Sequence, residues 1–248
     1  MKKTQKLLAQ DQLEAFYHDL FVGSQVADFF SLIGSLLNPC SDIIIDVGGG
    51  VGYFAKAVRE TINIQVRVLD SDIQSIDLCK KAGIDAIESD ALNPTAVGDE
   101  TVVCFNLILH HLVGASEYET RRLQERALSV WRSTARLIFV NEYIYESYFF
   151  KDFSGWLIFQ ITRSSIFSKI GNFMAKFTPS LKANTFGVGV RFRSHSEWCE
   201  IFSSLGFDVI NTVIGPQEYV SLPRRCLLIR NCRRDSFLLK PNYYDEKK

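Results

Sequence analysis

The sequence predicts a doubly wound α/β fold, a seven-stranded and mostly parallel sheet whose last strand runs antiparallel. Three observations predict it. Short β-branched runs alternate with helical runs from residue 43 to 141, the pattern of right-handed strand-helix-strand crossovers. A run of glycines follows the first of these strands at once, in "IIIDVGGGVGYF". The last two runs, near 207–214 and 225–231, are too close for a full helix between them, so the final strand enters by a hairpin.

Taken in order, apolar residues recur at helical spacing from Leu13 to Leu37 and are interrupted at Gly23-Ser24. This predicts two amphipathic helices, a helical cover over 1–39 closed by "NPCSD". Residues 40–248 then form one domain. Strands are expected near 43–47, 65–69, 84–88, 101–106 and 135–141, with helices at 51–61, 73–82 and 116–132. Beyond Glu142 the alternation stops, and 143–192 reads as an inserted lid rich in aromatic and basic residues. Ser194 and Glu197 have the spacing of a capping box that opens a helix ended by Gly206. From Lys240 the tail reads as frayed.

At 248 residues and 47% apolar content the chain can bury a full core. Its 28 basic and 28 acidic side chains balance, so no global charge draws it to nucleic acid. The six cysteines form no CxxC pair and sit mostly in apolar runs. They read as reduced core residues of a cytoplasmic protein, with no metal site. Two lysines open the chain without an apolar run behind them, which argues against secretion, and no stretch is long and apolar enough to span a bilayer.

In "DVGGGVG", Asp46, Gly48, Gly50 and Gly52 stand at every second position. Glycine reaches φ > 0 and has no Cβ, so such a loop can press its backbone against a ligand at a helix start. A dinucleotide fingerprint needs glycine at position 53, where this chain has Tyr53. Asp46 disfavours a pyrophosphate and suits a ligand with a cationic end. Asp70 closes the second strand, where a carboxylate can accept both hydroxyls of a ribose, and Asp90 stands after the third. Singly, Asp72 or Asp90 reads equally well as a helix cap.

The ordered combination resembles class I S-adenosylmethionine-dependent methyltransferases over residues 40 to 142. The resemblance implies that the glycine loop with Asp46, Gly48, Gly50 and Gly52 lies against the methionine part of S-adenosylmethionine. It implies further that Asp70 holds the ribose, that Asp90 and Ala91 face the adenine, and that the backbone of Asn106 helps bind the ammonium. S-adenosylhomocysteine would be the product.

The fourth strand exits into "NLILHHLVG", past the strand ends where open α/β sheets bind ligands. His110 and His111 are the candidate catalytic residues, because histidine titrates near neutrality. The stretch is similar to histidine-dependent small-molecule O-methyltransferases, which share "DVGGG" and place a histidine at the position of His110. In those enzymes a large N-terminal dimerisation domain stands where this chain has two short helices. Paired histidines here also serve as structural caps, so both roles stay open.

In the insertion, Phe159, Ile166, Ile170, Phe173 and Phe177 share one helical face. That face either packs a lid on the core, lines a cavity for a flat or lipid-like acceptor, or lies on a membrane. His195 reads as helix-start chemistry, and Glu142 either touches the acceptor or faces solvent. Arg224, Arg225, Arg230, Arg233 and Arg234 are solvated or meet an anionic acceptor or partner. The reading is a methyltransferase for a small apolar or aromatic acceptor, most directly at oxygen. It needs no nucleic acid or membrane partner and leaves the oligomeric state open. N- or C-methylation, a cyclase or isomerase on the same fold, and a non-catalytic interaction subunit are the alternatives.

Overall fold

The computed structural model describes residues 19–164 and 189–242. Helix α1 (Asp19–Ile33) and a 3-10 turn (Gly34–Leu36) lead into β1 (Ile43–Val47). Then follow α2 (Tyr53–Ile62), β2 (Gln65–Asp70), α3 (Ile73–Lys81), β3 (Asp85–Glu88) and β4 (Val102–Asn106). A second 3-10 turn (Leu109–His111) precedes α4 (Glu117–Ser129), β5 (Leu137–Ser147) and α5 (Phe153–Arg163). After residue 188 come α6 (His195–Ser204), β6 (Phe207–Ile214), the short α7 (Leu222–Arg225) and β7 (Ile229–Pro241). The sheet order is β3-β2-β1-β4-β5-β7-β6. β1 to β5 pair in parallel, and β7 enters antiparallel between β5 and β6.

Alternate residues of each strand point to opposite faces, and both faces are covered. On one, α1, α2 and α3 cover Ile44, Val66, Val68, Cys104 and Phe139. There Phe29 meets Phe54 and Phe139 edge-on, at ring separations of 5.5 and 5.3 Å. On the other, Val103, Phe105 and Phe237 lie under α4 and α6, with Trp131 and Trp198 almost wholly buried. Burying one such side chain contributes about 1.5–3 kcal/mol. The helices start where the sequence supplies a cap. Asp72 accepts from the amides of Gln74 and Ser75, and Ser116 accepts from that of Glu119.

The structure departs from the sequence reading at four places. Helix α1 runs straight through Gly23-Ser24. Its buried Phe29, Leu32 and Ile33 and its bonds from Gln25 to Asn141 (3.3 Å) and from Ser236 to Asp28 (2.7 Å) outweigh a propensity cost of about 1 kcal/mol for one glycine. Strand β5 continues past Glu142 to Ser147, into the segment expected to be an insertion, because β7 pairs with it over that whole length. β7 accordingly covers 229–241 rather than 225–231 and takes in Lys240, so the chain is not frayed there. Only half of the capping box forms: Ser194 Oγ accepts from the Glu197 amide, but the Ser194 amide goes to Asp152 (3.0 Å) because Glu197 is drawn to two arginines.

Of the apolar face expected within the insertion, Phe159 is buried; Ile166, Ile170, Phe173 and Phe177 lie outside the described residues. The cysteines are free thiols, with Cys79, Cys104 and Cys232 buried but Cys40 and Cys226 exposed. No helix among the described residues is long and apolar enough to cross a membrane.

Candidate active site

The glycine loop joins β1 to α2 through three left-handed residues, Gly48 (φ 68°), Gly50 (φ 54°) and Gly52 (φ 80°). Side chains are also excluded by space. A Cβ on Gly48 would overlap the Ile108 side chain, and one on Gly52 would stand 2.9 Å from Cys79 Sγ and Ile84 Cδ1. The loop is fastened to β2: the Gly50 amide donates to Asp70 Oδ2 at 2.9 Å, and Gly48 donates to the Leu69 carbonyl at 2.7 Å. Asp70 therefore has a task the sequence did not reveal. Its second oxygen accepts from the Asp72 amide at 2.8 Å, so both oxygens brace the loop and the start of α3. Burial raises its pKa against the lowering effect of those amides.

Asp46 is fully buried. Burial, with the nearby Asp70 charge, pushes its pKa up to about 7, although the Asn106 side chain donates to it at 3.0 Å and pulls the other way. Asn106 thus meets Asp46 through its side chain, where the resemblance implied a role for its backbone. Asp46 Oδ2 and Asn106 Oδ1 are buried without a partner among the described residues. Two such acceptors at the carboxyl ends of adjacent strands call for a donor, and a cationic one best offsets the buried carboxylate. A ligand ammonium meets that demand, so this pocket fits the end of S-adenosylmethionine that the sequence assigned to it.

Asp90 is the exposed member of the set. Its Oδ1 accepts from the Leu92 amide at 2.9 Å in a tight turn bridged to Asn93, while Ala91 packs partly buried on the core.

After β4 the chain turns sharply at Leu107, a non-glycine residue at φ 55°. A branched hydrophobic residue in that region marks strain held by its surroundings, and the Leu107 amide is tied to the Asn141 carbonyl at 2.9 Å. The turn delivers His110 beside β5. There Glu142, fully buried, accepts from the Leu109 amide (2.7 Å) and pairs with His110 Nδ1 (2.7 Å). Glu142 therefore faces His110 and not solvent. The Leu109 carbonyl accepts from Gln124 (3.0 Å), and the His110 carbonyl accepts from the Arg191 amide (3.0 Å). Three elements thus fix one turn.

His111 lies against His110, its ring tilted by 39° with ring centres 4.1 Å apart. Burial, then the adjacent His110, holds its pKa well below the usual histidine range. It is a neutral ring beside its neighbour.

An aromatic wall continues from His110. Phe192 stacks on it at 4.9 Å and on Tyr145 at 4.3 Å, and Tyr143 stands edge-on to His110 at 6.1 Å. Below lies a buried ionic cluster unforeseen from sequence. Arg193 bonds Gln124 and pairs with Glu117 and Glu197, and Arg191 pairs with the same two acids. The surplus of arginine and glutamate near α6 was its only signal. His195 is held elsewhere, by Asp235 at 2.7 Å.

No protein-family model and no curated protein sequence matches this chain. Solved structures do. Magnesium protoporphyrin IX methyltransferase (ChlM) from Synechocystis PCC 6803 with bound SAH is 12% identical, covers 96% of this chain and 90% of its own, and superposes at a TM-score of 0.55. The mitomycin 7-O-methyltransferase MmcR is 12% identical over 90% of this chain, which spans about half (53%) of it, at a TM-score of 0.55. The [4+2]-cyclase SpnF is 10% identical, covers 96% of this chain and 84% of its own, at a TM-score of 0.57. The chain has the Rossmann-like methyltransferase fold, the architecture the sequence predicted.

Proposed function

We propose that the protein is an S-adenosylmethionine-dependent methyltransferase acting at oxygen on a small apolar or aromatic acceptor. The observation that carries this reading is the buried Glu142–His110 pair, set one turn beyond β4, whose end and that of the adjacent β1 each carry one unpartnered acceptor suited to an ammonium. When bound, S-adenosylmethionine supplies a transferable methyl group and leaves as S-adenosylhomocysteine. The residues assigned to it are Gly48, Gly50 and Gly52 for close backbone approach, Asp46 and Asn106 for the ammonium, and Asp70 for the ribose. Asp90 and Ala91 sit at the adenine end.

The chain's own chemistry is proton removal. An ionised carboxylate can only accept, so Glu142 keeps the proton on His110 Nδ1 and leaves Nε2 basic. His110 Nε2 then takes the hydroxyl proton of the acceptor as its oxygen becomes a nucleophile, an effect worth about 10²–10⁴-fold in rate. Phe192 and Tyr143 offer flat apolar faces against which an aromatic acceptor can be aligned. The free thiols of all six cysteines suit a reducing compartment, and the cytoplasm is the expected location.

The test has two parts. Calorimetry with S-adenosylhomocysteine should show one site per chain, and the His110→Ala variant should keep that affinity while methyl transfer in an acceptor screen falls by about 10²–10⁴-fold. Unchanged turnover in the variant removes His110 as the base. The fold also carries the cyclase SpnF, and a protein that binds S-adenosylmethionine and transforms its substrate without releasing S-adenosylhomocysteine would establish that second reading. A folded protein with no affinity for either molecule would be an interaction subunit.

A further inference from the structure

We propose that Gln124, oriented by Arg193, is a positioning residue for His110: its amide fixes the peptide that carries the histidine, so that the ionic cluster beneath the turn aims the imidazole. This deepens the methyltransferase reading and rests on it for the task that His110 performs.

Peptide units are planar, so the direction in which a residue sends its side chain is set by the two units that flank its Cα. Both units at His110 are held from outside the turn. On the unit before the Cα, Gln124 Nε2 donates to the Leu109 carbonyl at 3.0 Å. On the unit after it, the Arg191 amide donates to the His110 carbonyl at 3.0 Å. One unit earlier the Leu109 amide donates to Glu142 Oε1 at 2.7 Å, while Glu142 Oε2 meets His110 Nδ1 at 2.7 Å. Ring and backbone thus share one carboxylate, and a tilt of the turn parts them.

The Gln124 bond is not needed to satisfy the carbonyl it reaches. Leu109 already closes its 3-10 turn by accepting from the Leu112 amide at 3.1 Å. Burying the whole Gln124 side chain on α4 carries a cost in desolvation and rotamer freedom, and what it contributes is direction. That direction has a single sense. A guanidinium only donates, and Arg193 Nε donates to Gln124 Oε1 at 2.6 Å, so the amide must turn its Nε2 to Leu109.

Arg193 is itself wholly buried and held by Glu117 Oε1 at 3.0 Å and by Glu197, from the first turns of α4 and α6. Its carbonyl accepts from the Tyr145 amide of β5 at 3.1 Å. Arg191 pairs with the same two acids, and the Phe192 ring between them stacks on His110 at 4.9 Å. Three consecutive residues therefore grip His110 by its carbonyl, by its ring and, through Gln124, by the preceding peptide.

The experiment follows the four histidines of the nitrogen-15-labelled full chain by long-range proton–nitrogen NMR at about pH 9, where an unpaired imidazole is neutral, with His110→Ala assigning the His110 signals. The unaltered protein should show one His110 tautomer, with the proton on Nδ1. Gln124→Met removes both contacts of the amide. Gln124→Glu keeps an acceptor for Arg193 and so preserves the cluster, but offers Leu109 no donor. Both variants should lose the single-tautomer pattern and show a mixture. On any acceptor that the unaltered protein methylates, kcat should fall by about 10–100-fold with KM unchanged.

A mixed tautomer at His110 in the unaltered protein overturns the proposal before any variant is made. So does an unchanged His110 pattern in a cooperatively melting Gln124→Glu variant, which decides alone if Gln124→Met does not fold. The NMR signal needs neither cofactor nor turnover. If S-adenosylhomocysteine fails to bind, or His110→Ala keeps full turnover, the methyltransferase reading falls, and the placement of His110 by Gln124 is still decided by that signal.

Discussion

The two halves of the sheet end in different material. At the tips of β1 and β2 it is backbone: three left-handed glycines and a loop braced by Asp70. Beyond β4 and β5 it is side chain: a histidine held by a glutamate 32 positions away, and aromatic rings from β5 and residue 192. On the function proposed above, the contrast teaches where specificity would reside: a backbone cradle would recognise what every substrate cycle shares, whereas a side-chain wall can be altered residue by residue.

Four experiments test that division, from the largest expected effect downward. Glu142→Gln removes the carboxylate that fixes His110, and methyl transfer should fall by about 10–100-fold with S-adenosylhomocysteine affinity unchanged; lost cofactor affinity would show that the two halves are not separable. Gly48→Ala should do the reverse. Its Cβ overlaps Ile108 at a positive φ, so the variant should lose cofactor binding and about 1–3 kcal/mol of stability by chemical denaturation.

The third experiment concerns pH. The folded pKa of Asp46 is raised from 3.8 to about 7, so the ligand-free fold holds a proton that the unfolded chain has already released. Its contribution to stability is present below about pH 4, declines as pH rises to about 7, and is flat above. A cationic ligand needs the carboxylate. Affinity for S-adenosylhomocysteine, which keeps the ammonium, should therefore rise up to tenfold per unit toward pH 7 and then level off. A flat affinity profile would separate Asp46 from the ammonium. Last, Asp90→Ala removes an exposed turn contact and should shift stability by about 0.5 kcal/mol or less while weakening cofactor affinity; unchanged cofactor affinity would remove Asp90 from the adenine end.

The division also explains what the sequence disclosed. The β1 glycine run, the Asp70 position and the β4 exit are local patterns, since the backbone demand and the residue that meets it lie within a few positions. The site on the other half is assembled across the chain. Nothing near His110 in sequence announces Glu142, and nothing near Glu117 announces Arg191 and Arg193. The β5–β7 ribbon was misread for the same reason: in "IRNCRRDSFLLKP" the strand expected near 225–231 continues through the polar stretch from Cys232 to Ser236, where Asp235 and Arg233 are buried or nearly so because they bond each other and Asp235 bonds His195. Asp70 was located correctly, but its bracing of Gly50 appears only when β1 and β2 lie side by side.

Strands β5 and β7 stay paired from Ile138–Leu239 out to Ser147–Ile229, well past the last rung that β4 makes with β5 at Asn106–Asn141. The overhang is a long ribbon anchored in the sheet and flanked by single bridges, from Arg193 to Ile144 on one edge and from Glu218 to Cys232 on the other. Descendants of this sequence could exchange residues there, or lengthen the ribbon, and meet new molecules without disturbing the glycine loop. Diversification of such a scaffold should therefore accumulate on the overhang first.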